Sequence, residues 1–588
     1  MAVPVATPNT LHGGDPSAIP QPLDDERRTI SFEEYMYYAA ITRSGEKAAN
    51  ERFVARRGKR DLGNVLRGRF SKGREVDVVG DGDVEEKKGE KGVEHIGGEG
   101  EGEGGGYVSL TSKERKTASR ALRTASWGTI FYLITTDILG PVSAPWVFAQ
   151  TGYGPGIALY TVFGVTSCYS GWIIWKVYLG LDSDQFPLSG FGDFFFRLFG
   201  PWARHFVNIA QALQMFLTVA IIVLSNGQSI SQISRGEHGG MGICFVACLI
   251  ITTGAGLICG QIRTLQRLGW LANVCVWSTV ATVILTMASV GYGPNYEAVE
   301  ASFGVPPDMP IQTFAGIPPA GLASGGSGFV GSLNGVNVIA YAYGGAMLFA
   351  ALLAEMRHPM DFWKAMIIAE GLIYFINVFF GAFVYSFQGQ YSYNPAVQGI
   401  ANYKIQTAGN ILNIVANLIA AVLYSNIGLK VVYVEVCQRL LGFPELTTKF
   451  GKIWWAALIP VYWIVAFVIA AAIPQFSYIV GLVGAIFMIS FTYVFPAWMA
   501  LGFMVWEAAI VSEEERFDPA TNSFNYIDKG WRRWARGFMK RPLFNSWNAI
   551  YLLGALVTSA LGTYSAAVSI RAAFASDLST SLSCEPPL

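Results

Sequence analysis

Between Trp127 and Ile570 the chain carries eleven long runs dominated by apolar residues: Trp127–Phe148, Gly156–Leu179, His205–Ser225, Gly242–Gly260, Leu268–Val290, Asn334–Glu355, Ala365–Phe387, Ile411–Val432, Ile453–Ile473, Tyr478–Met504 and Trp547–Ile570. Crossing about 30 Å of hydrocarbon takes about 20 helical residues, and a helix satisfies its own backbone groups where water cannot. The runs, numbered here spans 1 to 11, predict an all-α polytopic membrane protein embedded in a lipid bilayer. Composition agrees: 14% of residues are charged, against about 25% in a soluble protein.

The charges are unevenly placed. Of the 42 Lys+Arg and 42 Asp+Glu, half of each lie in residues 1–125. That segment reads as a polar, largely disordered cytosolic tail, with residues 126–573 as the membrane domain and 574–588 as an extracytosolic C-terminal tail. The run GGEGEGEGGG lacks the following Lys-Ser/Thr of a phosphate-binding loop. Phe32–Val54 has helical spacing with aromatics on one side, compatible with a cytosolic, membrane-bound or loop-docked helix, and residues 1–105 are expected to be dispensable for whatever the membrane domain does. The balanced net charge offers no general field for nucleic acid. The five histidines are scattered, which argues against a catalytic zinc site, and no cofactor is expected. Cys244 and five other cysteines lie in apolar runs as small hydrophobes, so no disulfide framework is expected. The connections on one side of the eleven spans hold nearly all the Lys and Arg, and those on the other only Arg235, Lys404 and Arg571. Basic residues stay on the cytoplasmic side, so the N-terminus is placed in the cytosol and the C-terminus outside.

Two spans are interrupted where a solute would bind. Span 1 reads TTDILGPVSAPWVFAQTG, with Gly140, Pro141 and Pro145 near its middle; span 6 reads NVIAYAYGGAMLFAALLAEM, with Gly344-Gly345 near its middle. Proline removes a helical hydrogen bond. A broken helix exposes backbone donors and acceptors to a cavity, and breaks five spans apart occupy equivalent positions in an inverted repeat.

The run ILGPVSAPWVFAQTGYGPG resembles the first-span signature of the amino acid/auxin permease family. FGDFFFRLFGPWARHFVN resembles that family's connection between spans 2 and 3, and AYAYGGAMLFAALLAEMRHPMDFWKAM its span 6 and following junction. The resemblance covers about residues 120–575, and FEEYMYYAAITR is similar to the fungal branch. It implies a LeuT-like five-plus-five inverted repeat plus one helix, and secondary active amino acid transport, usually proton-coupled, by alternating access. Ile138 stands where the family often has a first glycine, and span 1 lacks the asparagine of sodium-coupled relatives. The coupling ion is therefore expected to be the proton rather than sodium.

On this reading the backbone around Gly140, Pro141, Val142 and Ser143 takes the solute carboxylate, because a half-helix N-terminus attracts an anion. Carbonyls around Tyr341, Ala342, Tyr343 and Gly344 take the ammonium, and Gln211, Gln214 and Asn417 are candidates for the cavity wall. No countercharge for a charged side chain is identified at mid-membrane, which favours neutral amino acids. Asp137, three residues before Gly140, is the first candidate for proton coupling; Glu355 is the second, at a span end suited to a gate. Glu370 is placed near cytoplasmic water. The plasma membrane is favoured over the vacuolar one. A chain of this kind is expected to be no enzyme, and its rival reading is a transport-inactive amino acid sensor signalling through its N-terminal tail.

Overall fold

The structure, a computed structural model, describes residues 30–57, then 123–575 apart from short gaps, and Cys584. Among the described residues the fold is helical, with only isolated β-bridges. Ten helices among these residues are long and apolar enough to cross a membrane, and they coincide with spans 1–3 and 5–11. Span 4 differs. Its helix, Phe245–Cys259, has 15 residues, about 22 Å at 1.5 Å per residue, short of the hydrocarbon thickness. Other spans outrun their apolar stretches: span 3 extends over Pro201–Arg235, 35 residues, because helical hydrogen bonding continues through its polar Ser/Gln end.

The breaks fall where proline and glycine interrupt the ladder. Span 1 consists of Trp127–Ile138, a tight 3-10 turn at Pro141–Ser143, and Ala144–Thr151. Span 6 consists of Gly328–Ala342, a 3-10 turn at Ala346–Leu348, and Phe349–Glu355. The two broken helices lie five spans apart, the spacing expected of the first helices of two five-span halves. The second half of span 1 and the first half of span 6 pack together: a Cβ on Gly335 would lie 2.9 Å from the Thr151 methyl. At their other ends a pair of backbone bonds clasps them, Ala125 N to Glu355 O and Arg357 N to Ala125 O, both 3.0 Å.

One face of the bundle, called here the basic face, is capped by the helix Phe32–Arg57. It is no loose tail. Glu33 pairs with Arg533 at 2.6 Å, with both side chains nearly inaccessible, and accepts from the Tyr526 hydroxyl at 2.8 Å. Further along, Arg43 pairs with Glu46 at 2.6 Å and with Asp182, at the end of span 2, at 2.5 Å. Arg123 reaches both oxygens of Asp182 at 3.0 Å and Glu46 at 3.3 Å. Apolar contacts complete the seat: Phe32 packs edge-on to Phe503, and Tyr35 lies under the Arg197 guanidinium. Deleting residues 1–105 would therefore strip Asp182 and Arg533 of buried partners, contrary to the expectation from composition. The remainder of residues 1–122 lies outside the described set.

The opposite face holds a disulfide between Cys244, just before the helix of span 4, and Cys584, separated by 340 residues. The expectation that Cys244 is a buried thiol is thus corrected: it stands at the helix N-cap, beyond the apolar packing. The same face is roofed by the connection between spans 5 and 6, where Phe314 O accepts from Tyr153 N at 3.0 Å and Phe314 N donates to the Tyr385 hydroxyl at 3.0 Å.

Candidate substrate site

At the first break Gly140 is exposed, and a Cβ there would meet no atom within 4 Å. The space beside the break is open. Pro141 is buried and Val142 half-buried, and both belong to the 3-10 turn that packs on span 7. The Ser143 hydroxyl is committed elsewhere: it donates to Asn394 Oδ1 at 2.7 Å, and Asn394 Nδ2 donates to the Ser477 hydroxyl at 3.1 Å. This chain ties the break to the connection between spans 7 and 8 and to the start of span 10. What Ser143 leaves for a solute is its backbone. The eight-residue helix Ala144–Thr151 begins there and points its N-terminus at the break.

At the second break Tyr341 is half-buried, while Ala342, Tyr343 and Gly344 are buried. A Cβ on Gly344 would sit 2.3 Å from Met488 Sδ, so glycine here allows span 10 to close on the turn. The Tyr343 hydroxyl donates to Tyr160 O at 3.1 Å, and the rings of Phe148, Tyr160 and Tyr343 follow one another at 5.9 and 6.3 Å. The two breaks are thereby joined by an aromatic wall contributed by spans 1, 2 and 6. None of the residues at either break carries a charge.

Gln214 adds a polar group. Its Nε2 contacts Met488 Sδ at 2.8 Å, which places it beside Gly344, and its buried Oε1 has no hydrogen-bond partner. Gln211 is also buried on span 3. Asn417 is elsewhere engaged: its amide donates to Asn226 Oδ1 at 3.1 Å and the Ser225 hydroxyl at 3.3 Å. Asn410 likewise donates to Gln232 at 2.6 Å. The asparagine stripe of span 8 thus bonds span 3 to span 8, the use that hydrocarbon favours for such groups.

Asp137 lies in the last turn of the first half of span 1, and its side chain is outside the described residues. Glu355 closes span 6 at the basic face, where it interacts electrostatically with Lys430 of span 8. Glu370 is not near water. It is 2% exposed, in contact with Ser167 on span 2.

Two participants escaped the sequence reading. Tyr160 is fully buried with an unpartnered hydroxyl beside Tyr343. Span 10 carries two π-helical stretches, Gly484–Met488 and Ser490–Val494, which bring Met488 against Gly344 and the Thr492 hydroxyl to Tyr343 O at 3.5 Å. Wide turns of this sort recur at functional sites. Gly481 and Gly484 were the available signal.

A family model described as transmembrane amino acid transporter protein matches residues 123–516. The chain is 25% identical over 417 residues to an N amino acid transport system protein of Neurospora crassa, covering 69% of this chain and 82% of that one. It is 22% identical over 396 residues to a transmembrane transporter of Gibberella moniliformis, covering 64% and 76%. A crystal structure of MhsT in complex with L-phenylalanine aligns with TM-score 0.44 and 13% identity, over 76% of this chain and 99% of that chain.

Proposed function

Because the chain belongs to the transmembrane amino acid transporter family, we propose that this integral membrane protein carries neutral amino acids by proton-coupled symport with alternating access. The observation that carries the reading is the pair of uncharged breaks joined by the Phe148–Tyr160–Tyr343 wall. The solute carboxylate binds at the N-terminus of Ala144–Thr151, beside the open space at Gly140. Its ammonium meets carbonyls of Tyr341 to Gly344 and the free Oε1 of Gln214. With no charge at either break, a charged solute side chain would lack a partner.

The proton is the coupling ion, and three membrane carboxyls are candidates for it: Asp137, Glu355 and Glu370. The basic face lies in the cytosol, supported by the bias of Lys and Arg and by the disulfide on the other face, since disulfides persist in oxidising compartments. Span 4 completes an eleven-span topology despite its short helix. The plasma membrane is the assigned site.

The test is tracer uptake of a panel of amino acids into cells lacking their own permeases, at external pH 5 and 7. Neutral amino acids should enter faster at the lower pH; uptake of none of the panel would reject transport. Gly140→Leu should fill the open space and abolish binding with expression intact, and wild-type affinity in that variant would move the site elsewhere.

A further inference from the structure

Span 7 holds a carboxyl group at mid-membrane that no ion pair among the described residues accounts for. Glu370 Oε1 accepts a hydrogen bond from the Ser167 hydroxyl at 2.9 Å. Ser167 is the central residue of the 29-residue helix Tyr153–Leu181, which fixes the depth of the pair. The other oxygen, Oε2, is buried and has no hydrogen-bond partner.

The surroundings contain hydroxyls and a thiol. Ser167 and Cys168 approach from span 2, Tyr343 from the break of span 6, and Tyr493 from span 10. On span 7 itself the Tyr374 hydroxyl is bonded to Thr161 at 3.1 Å. The first half of span 1 and span 5 also pack on span 7. The titratable residues of those two elements are Tyr132, Asp137, whose side chain is outside the described residues, and Cys275, whose thiol contacts Ala416 O of span 8 at 3.5 Å. Among the described residues no Lys, Arg or His pairs with Glu370.

A carboxylate at this depth with one hydroxyl donor and no countercharge is costly, and in practice such a group binds a proton instead. We propose that Glu370 is the proton-binding site through which this chain couples amino acid movement to a proton gradient. The proposal rests on the proton-coupled reading above and assigns the carrier within it. Oε2 takes a proton from water on the disulfide side and gives it up to water on the basic side, with no other bond made or broken.

The position also explains how proton and solute sense each other. A Cβ on Gly164 would lie 3.0 Å from the Tyr343 hydroxyl, and Gly164 precedes Ser167 by one helical turn. The Glu370–Ser167 bond and the contact of Tyr343 with span 2 are therefore on adjacent turns. When the proton leaves, the carboxylate requires further donors, and the nearby hydroxyls of Tyr343 and Tyr493 are the ones on hand. Recruiting Tyr343 breaks its bond to Tyr160 O and moves the break of span 6, where the solute ammonium sits.

The test uses the full chain in liposomes, with labelled L-alanine and L-phenylalanine as probes. Wild type should accumulate tracer under an inward one-unit pH gradient, up to the tenfold ceiling of one proton per solute. Glu370→Gln should still exchange tracer in gradient-free counterflow, yet its gradient-driven accumulation should fall to a ratio of one. Accumulation by Glu370→Gln equal to wild type would overturn the assignment and leave proton coupling standing. Wild type that exchanges but never responds to the gradient would instead remove the proton-coupled reading. Should Glu370→Gln fail to fold, Ser167→Ala decides: loss of the donor to the carboxylate should move the midpoint of pH-dependent uptake to higher pH, and an unmoved midpoint would contradict the proposal.

Discussion

Among the described residues, buried carboxylates occur in two regions, and the two are solved differently. At the basic face Glu33, Asp182 and Glu515 each face arginine: Arg533, then Arg43 with Arg123, then Arg536 at 2.6 Å. In the membrane Glu370 has a serine hydroxyl on one oxygen and no hydrogen-bond partner on the other. Glu515 shows the first solution in its titration. Burial works against its ionisation, but Arg536 and the amides of Val511 and Ile527 outweigh it, holding the carboxyl down at about 2. Charge fixed by charge makes a permanent joint. A carboxyl bonded only to hydroxyls can gain and lose a proton, which is what a carrier requires.

The comparison predicts its largest difference in stability. Asp182→Ala leaves Arg43 and Arg123 buried without their main acceptor and should cost about 3–5 kcal/mol, the usual penalty for orphaning a buried charge. Glu370→Gln removes no countercharge and should cost about 1 kcal/mol or less. Thermal unfolding in one detergent ranks the two variants, and equal melting temperatures would erase the distinction drawn here.

A second difference concerns the N-terminal segment. Removing residues 1–28 should leave stability unchanged. Removing residues 1–57 takes away the partners of Asp182 and Arg533, and should lower the melting temperature by several degrees. Limited proteolysis of the connection between spans 10 and 11 checks this directly, because Tyr526 and Arg533 lose Glu33. Unchanged cleavage would mean the helix is ornamental.

The smallest effect is a pH dependence within the cap itself. Burial pushes Glu46 up from the ordinary carboxyl range to about 7, against the pull of Arg43 and Arg123. A group whose folded pKa is raised binds more protons when docked, so docking is strongest at acidic pH and weakens as pH rises to about 7. Hydrogen exchange of residues 32–57 at pH 5.5 and 7.5 should show more protection at the lower value after correction for intrinsic rates. Glu46→Gln should flatten that difference.

The sequence made the spans legible because the bilayer imposes a length, and the breaks legible because proline and glycine interrupt a helix whatever surrounds them. Gly140–Pro141 and Gly344–Gly345 were found on those grounds. The depth of Glu370 was not, because it depends on which residue of span 2 lies opposite. Asn417 was read toward the cavity, whereas span 8 turns that stripe to span 3. The Cys244–Cys584 bond spans 340 residues and leaves no local mark. For the π-helical turns of span 10 the sequence offers only Gly481 and Gly484, because glycine marks a weak point in a helix without specifying a wide turn.

The most direct test of the account follows proton and amino acid together. Liposomes holding a pH-sensitive dye are given labelled L-alanine or L-phenylalanine outside, and internal acidification is divided by tracer uptake. Wild type should acidify the lumen in fixed proportion to the amino acid taken up, and Glu370→Gln should exchange tracer with no acidification. A Glu370→Gln variant that acidifies the lumen as much per amino acid as wild type would contradict the assignment of the proton to span 7.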